Sequence, residues 1–333
     1  YDGFGDIIGQ RSPDSGDTIF YYDAGGNLVQ RVDAAGAVAN HAYDALNRRI
    51  ATTYPGDPAE NVAYFYDEAA GGFGIGRLTR LTDIGGTLQR TYDERGNVLS
   101  ETRSRGSVTL QTAYAYDSAG RVAAITYPSG TVANYTRDPM GRITALAATP
   151  PGGGAMPVVG SIAYQPFGPP SALGYGNGVA ETRNFDLDYR LLGLTDAAAS
   201  RSRTLSYGYD AANNVVALGD DVFGAQSFGY DALDRLAAAA GFYGTLTRSY
   251  DPVGNVVAGS SGAAAQSFLY FPNSNRLATV RAGDSVLRQL GYTPTGNIAS
   301  DQQSDRRLDF AYNQADRLYV ATIQPTGGPA ATY

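Results

Sequence analysis

Along much of the chain, polar and apolar positions alternate one by one over short stretches, as in Asn61-Val62-Ala63-Tyr64-Phe65-Tyr66 and Thr245-Leu246-Thr247-Arg248-Ser249-Tyr250. A period of two is that of a β-strand. Stretch after stretch runs into the same phrase, Tyr-Asp-x-x-Gly-Asn followed by an aliphatic residue, which returns about every twenty-one positions. Taking two turns out of each period leaves two strands of roughly seven or eight residues, each about 25 Å long. The pattern therefore predicts an all-β fold: roughly thirty strands in repetitive antiparallel hairpins, each unit burying a face on the next. Helical periodicity is hard to find. The run from Ala232 to Ala240 has helical propensity, but it overlaps a phrase and stops at Gly241, so it reads as turn plus strand.

The phrase is clearest at Tyr22, Asp23, Gly26 and Asn27. It recurs at Tyr92, Asp93, Gly96 and Asn97, at Tyr250, Asp251, Gly254 and Asn255, and, with Thr293 in place of the acid, at Tyr292, Gly296 and Asn297. Variants begin at Tyr1, Tyr43 (with Asp44), Tyr66, Tyr116 (with Asp117 and Gly120), Tyr164, Phe185, Tyr209 (with Asp210), Tyr230 (with Asp231), Tyr270 and Tyr312. From Tyr209 the starts fall 21, 20, 20, 22 and 20 residues apart, whereas Tyr116 to Tyr164 spans 48, with Tyr135 and Asp138-Pro139-Met140-Gly141-Arg142-Ile143 marking a degraded unit between them. These are structural repeat residues. The fifth position holds Gly5, Gly26, Asn47, Gly96, Gly120, Gly168, Asn213, Asp234, Gly254, Gly296 and Asp316. Gly, Asn and Asp tolerate positive φ best, which predicts a left-handed corner in each turn. The Asp at position two can accept from the backbone two residues on, and the Tyr before it ends a strand with a ring that can pack on its neighbour.

Such an array predicts one continuous body over residues 1–333. The strand pattern is interrupted between Ala147 and Gly160, where Thr149-Pro150-Pro151-Gly152-Gly153-Gly154 reads as a loop insertion. Ala69 to Gly76 lengthens one turn. The chain begins and stops within the repeat pattern, which reads as an excerpt of a longer polypeptide whose further residues continue the sheet or dock on it. The alternative is that its edges pair with other copies in an oligomer or filament.

Composition narrows the chemistry. Cysteine is absent and His41 is the one histidine, which excludes disulfides, thiolate metal sites and multi-histidine sites, and argues against a histidine-based triad. Every basic residue is Arg, and Asp far outnumbers Glu, as turn chemistry asks. The net charge of −7 disfavours a nucleic-acid partner. No run of eighteen apolar residues would span a membrane, and no signal peptide is present. Large aliphatic residues are few among many Ala, Gly and Thr, which fits a partly polar lumen better than a dense core. Abundant Ala, Gly and Arg without Lys points to a bacterium with a genome rich in G and C.

The repeated phrase, together with Tyr127-Pro128-Ser129-Gly130, Tyr175-Gly176-Asn177-Gly178-Val179, Ser274-Asn275-Arg276-Leu277 and Tyr312-Asn313-Gln314-Ala315-Asp316-Arg317-Leu318, resembles the RHS or YD-repeat family over the whole chain. That family includes bacterial polymorphic toxins, the B and C components of insecticidal toxin complexes, and teneurin ectodomains. The resemblance implies a β-sheet that winds as a spiral into part of a hollow shell, enclosing a C-terminal toxic domain that a self-cleaving core segment releases. Asp138-Pro139-Met140-Gly141 and Asp251-Pro252-Val253-Gly254 share the Asp-Pro-x-Gly frame of that segment, but each continues as an ordinary repeat.

Catalytic readings have few candidates. Asp186 and Asp188 could share a strand face, as glycoside hydrolysis requires, whereas Asp220 and Asp221 would point apart. Asp186 also holds the phrase's acid position. The segment Asp186 to Leu191 starts like a calcium loop but puts Arg190 and Leu191 where an oxygen ligand and Gly belong. The 25 Tyr could stack on sugars, although most sit at the repeat position. Ser161, Ser260 and Ser261 lack a histidine partner nearby, and Gly152 to Gly154 lack a phosphate-binding Lys.

The sequence thus leads to a shell segment that encloses and delivers an effector by containment, with no cofactor, no metal and no chemistry of its own. An extracellular structural or adhesive repeat protein is the alternative, and a glycan-active enzyme a remote one. The expected partners are the rest of its own polypeptide, such as C-terminal effector or plug domains, and secondarily other copies or cell-surface glycans and proteins. The expected location is secreted or at the bacterial cell surface.

Overall fold

The computed structural model describes residues 1–332; Tyr333 lies outside them. Among these residues thirty strands, from Gly9–Ser12 to Ala331–Thr332, belong to one antiparallel sheet. Helical geometry is confined to two single-turn 3-10 segments, Pro58–Glu60 and Ala69–Gly71. By compactness the chain divides into two units. The first comprises Tyr1–Ala70, Gly74–Leu88 and Ser249–Tyr333, and the second Gly71–Phe73 and Gln89–Arg248.

In both units strands pair with their neighbours in sequence. Gly16–Tyr22 pairs with Leu28–Val32 through Ile19 opposite Val32 and Tyr21 opposite Gln30, and the register then slips so that Tyr22 faces Leu28. The same slip recurs at Tyr43, Tyr66, Tyr116, Tyr164, Tyr209, Tyr230, Tyr270, Tyr292 and Tyr312. It is a bulge, and the turn chemistry explains it. Gly26 N–H donates to Asp23 C=O at 3.1 Å, Asp23 N–H donates to Asn27 C=O at 3.0 Å, and Gly26 has φ of 78°. A type I turn followed by a left-handed residue is the three-residue hairpin loop that carries such a bulge. The opposite edge of the sheet uses shorter loops in places: Gly106, Gly262 and Gly283 lead two-residue turns at φ near 57°.

The expected left-handed corner is present at every fifth position named above except Gly168. Pro169 follows Gly168, and a residue before proline is held in extended geometry. Tyr189 takes the corner in the phrase that begins at Phe185, with φ of 62°, although a bulky residue there is strained. The degraded unit is placed differently from the expectation at Tyr135, which lies inside the strand Val132–Arg137. Arg137 occupies the tyrosine position, immediately before the Asp138 turn. The interruption at 147–160 is mostly strand, since Ile143–Thr149 and Met156–Tyr164 pair and leave residues 150–155 as the loop. The Ala232 to Ala240 run is turn plus strand, with Leu236–Gly241 extended.

The tyrosines knit each repeat to the one before. Tyr43 Oη donates to Leu28 C=O at 2.9 Å, Tyr116 to Val98 at 2.8 Å, Tyr209 to Leu191 at 2.8 Å, Tyr230 to Val215 at 2.8 Å and Tyr292 to Leu277 at 2.9 Å. In each case the acceptor is the aliphatic residue that follows the preceding phrase. Arg137 reproduces the contact, donating from Nη2 to Val122 C=O at 3.0 Å.

No large side chain is fully buried among the described residues; the buried apolar set is Ala39, Tyr92, Ala133, Ala239, Val280 and Leu290. The sheet is therefore held by its ladder of hydrogen bonds and by contacts between neighbouring repeats rather than by a packed core. In the first unit, early hairpins also meet late turns: Asp14 bonds Ser274 and Asn275, and Glu60 bonds Asn313.

Tyr209→Phe removes one hydroxyl and leaves the ring. It is expected to lower stability by about 1 kcal/mol, the usual worth of a neutral hydrogen bond, as read from urea denaturation. Phe185 occupies the equivalent position naturally, so the variant should still fold.

Candidate functional site

The chemically distinctive part of the molecule is the row of phrase turns along one edge of the sheet. In most of them one carboxylate organises the loop. Asp23 Oδ1 accepts from Gly25 N–H at 2.9 Å and Asn27 N–H at 2.8 Å, while Oδ2 accepts from Asn27 Nδ2 at 3.0 Å. Asp93, Asp210 and Asp251 make the same set with Asn97, Asn214 and Asn255. Where Arg holds the sixth position, its Nε replaces the amide. Arg48 lies 2.7 Å from Asp44, Arg121 2.8 Å from Asp117, and Arg235 2.7 Å from Asp231. The backbone bond two residues on is the one the sequence predicts. The second backbone bond, four residues on, is not visible in a propensity pattern, although the fixed spacing between Asp and the sixth position is its signal.

These bonds set the charge state. Asp44, Asp117 and Asp210 are held below the ordinary carboxylate value first by the backbone N–H four residues on. For Asp138, Asp186 and Asp231 the first cause is the arginine side chain. The sixth residue also reaches forward. Asn27 Nδ2 donates to Asn47 Oδ1 at 3.0 Å, Arg48 Nη2 to Asp67 at 2.8 Å, Asn214 Nδ2 to Asp234 at 2.8 Å, and Asn297 Nδ2 to Asp316 at 2.6 Å. The guanidinium of Arg48 lies 4.4 Å from the centre of the Tyr66 ring, and that of Arg190 5.1 Å from Tyr209.

The residues weighed for catalysis are engaged in this framework. Asp186 Oδ1 accepts from Asp188 and Arg190 N–H, both at 2.9 Å, and Oδ2 from Arg190 Nε at 2.6 Å, so the two acids sit in one turn. Asp220 is buried, pairs with Arg203 at 2.5 Å, and is lowered to about 2 chiefly by that guanidinium. Asp221 caps Thr204 N–H at 2.9 Å. His41 Nδ1 lies 3.1 Å from Thr52 Oγ1 on the paired strand. Burial, reinforced by Arg49 and Arg31, pushes its pKa down to about 4. One open groove, of about 730 Å³, is lined by Phe4, Ile8, Ile19 and Phe20 with Asp2, Asp6 and Asp23. Asp2 and Asp23 are already committed to their turns. Among the described residues no three His, Asp or Glu side chains gather as metal ligands, and no helix is long and apolar enough to cross a membrane.

An exposed aromatic cluster lies on the opposite edge of the second unit and had no signal in the repeat pattern. Phe223 stacks on Phe242 at 4.9 Å, Phe242 meets Tyr243 edge-on at 5.2 Å, and Arg203 lies 5.2 Å from the Phe223 ring.

The RHS Repeat family model matches residues 1–38, 22–59 and 109–155. No curated protein sequence matches the chain. Solved structures share the fold. TcdB2-TccC3 superposes with a TM-score of 0.79 at 18% identity, over 99% of this chain and 21% of that one. TcdB2-TccC3-Cdc42 gives 0.78 at 18% identity over 96% and 20%, and the Tc holotoxin pore of Photorhabdus luminescens gives 0.77 at 18% over 96% and 20%. The chain spans about a fifth of the length of those chains.

Two titrations follow from the charge states. The lowered Asp values mean that the folded form binds protons less readily than the unfolded form. Their contribution is therefore full above the ordinary value of 3.8 and is lost as pH falls toward the folded values, about 2 for Asp220. Near-UV dichroism of the tyrosines should accordingly collapse below about pH 4. His41 has the same sign: its contribution is full above 6.5 and is lost between 6.5 and about 4. NMR titration of this single imidazole should give a midpoint near 4, and a midpoint near 6.5 would contradict its burial between Arg31 and Arg49.

Proposed function

We propose that this chain, which matches the RHS Repeat model in part and shares the fold of TcdB2-TccC3, is a wall segment of a shell that encloses an effector domain of its own polypeptide and delivers it by containment. The observation that carries this reading is the meeting of Asp14 with Asn275, at 2.7 Å across 261 residues of sequence. Early hairpins and late turns of the first unit meet there, which supports a wall built by winding.

The absence of a packed core supports the same reading. A sheet whose stability comes from its own ladder and from repeat-to-repeat contacts can leave a face free toward enclosed contents. The acids of its turns are committed to backbone amides and guanidinium groups, so the segment holds its cargo without chemistry of its own. The structures that share the fold are those of a toxin complex, including a holotoxin pore. That likeness supports, for this reading, a bacterial secreted or surface-exposed setting, with a non-repeat domain of the same polypeptide as the partner.

The test is protease protection in the full polypeptide that contains this array. A non-repeat domain that resists digestion in the native protein, but is cut at once after acid opening, is the expected result. A domain cut equally fast in the native protein and in isolation would overturn containment. A polypeptide of repeats and anchor alone, with ordered contacts between copies in sedimentation, would also overturn it in favour of a structural or adhesive role.

A further inference from the structure

The phrase at Tyr270 has lost its acid: Phe271 stands in the Asp position, and the loop is one residue longer. Phe271 N–H still donates to Arg276 C=O at 3.0 Å, Ser274 N–H to Phe271 C=O at 3.2 Å, and Asn273 takes the left-handed corner at φ of 58°. The carboxylate comes from elsewhere. Asp14, in the hairpin loop after Gly9–Ser12, accepts from Asn275 N–H through Oδ1 at 2.7 Å and from Asn275 Nδ2 through Oδ2 at 3.1 Å. It also accepts from Ser274 Oγ at 2.6 Å. Asp251, one repeat earlier, accepts from the N–H and Nδ2 of Asn255 at 2.8 and 2.9 Å. Asp14 thus makes in trans the pair of bonds that Asp251 makes in cis.

The next two turns also lack the acid, and early hairpins rest on them too. Thr293 replaces Asp in the phrase at Tyr292, and its Oγ1 takes the Asn297 N–H at 3.1 Å. A Cβ on Gly296 would lie 2.4 Å from Asp14 C=O, and one on Gly16 2.9 Å from Pro294 C=O, so backbone meets backbone there. Asn313 replaces Asp in the phrase at Tyr312. It keeps the turn bonds to Ala315 and Arg317 N–H, and donates from Nδ2 to the buried Glu60 Oε1 at 2.8 Å. An Asp at 271 or 313 would set a second carboxylate against Asp14 or Glu60. The one other acid-free turn among the later phrases, at Gln165, has a different reason: Pro169 has no N–H for a carboxylate to accept.

We propose that Asp14 and Glu60 are register keys that lock the early hairpins onto the late turns of the first unit. Each key lacks a competing acid in the turn it enters. The two keys lie two repeats apart in sequence, as do the two turns that receive them, so a slip of one repeat in either direction would drive Asp14 against a turn with its own acid or against Thr293. Matching deletions and carboxylates favour one docking register by attraction at the right turns, by repulsion for a slip toward Asp251, and by loss of the asparagine partner for a slip toward Thr293.

Hydrogen exchange of the whole chain tests this with three variants. Asp14→Ala should speed exchange at Asn275 about tenfold or more, since hydrogen bonds to a charged group are lost, and should loosen residues 12–16 with it. Adding Phe271→Asp to Asp14→Ala should restore protection at Asn275 while residues 12–16 stay loose. Asp14→Asn, which keeps an acceptor oxygen, should fall between wild type and Asp14→Ala, and it serves if Asp14→Ala does not fold. Unchanged exchange at 270–277 in Asp14→Ala and Asp14→Asn, or no recovery at Asn275 in the double variant, would overturn the proposal.

Discussion

A backbone amide in a tight turn must find an acceptor, and in most repeats this molecule answers that requirement with one carboxylate. The loop that joins two strands leaves N–H groups pointing inward, and an Asp at its start accepts two of them with one oxygen. Its second oxygen holds the side chain at the sixth position, which in turn reaches the next loop. Because so little apolar surface is buried, this relay and the tyrosine hydroxyls stand where a core would stand in an ordinary domain. Apart from the contacts of Asp14 and Glu60, the bonds that organise this array each span about one repeat.

The choice of arginine over lysine belongs to the same logic. Arg48 spends Nε on Asp44, Nη2 on Asp67 and its flat face on the Tyr66 ring. A lysine ammonium is a compact point charge and cannot divide itself among an acid, a second acid and a ring in three directions. Asn at the sixth position covers two of these roles without charge, as Asn27 does between Asp23 and Asn47.

Most of this was legible in the amino-acid order. The strand period, the turn phrase and the residue types tolerant of positive φ gave the hairpins and their spacing, because each depends on a few consecutive residues. Where the reading slipped, a neighbour intervened. Gly168 is constrained by Pro169, Tyr189 is forced into a corner that its side chain disfavours, and Arg137 rather than Tyr135 fills the place of a lost tyrosine because its guanidinium reaches the same carbonyl. The hydroxyl-to-carbonyl bonds needed knowledge of which strand lies beside which. The pairing of Asp14 with Asn275 was beyond any local pattern, although a missing acid at Phe271 was there to be noticed. Of the acids singled out, Asp186 and Asp220 hold turns through backbone N–H groups, a role that the place of Asp186 in its phrase already suggested.

The tyrosine bonds also have a direction. Each hydroxyl points to a carbonyl made earlier in the chain, so during synthesis every emerging repeat meets an acceptor that already exists, and the sheet can grow at the ribosome one hairpin at a time. The bond between Asp14 and Asn275 cannot form on that schedule. It must wait for 261 further residues, which leaves the hairpin around Asp14 without this cover until Asn275 has been made.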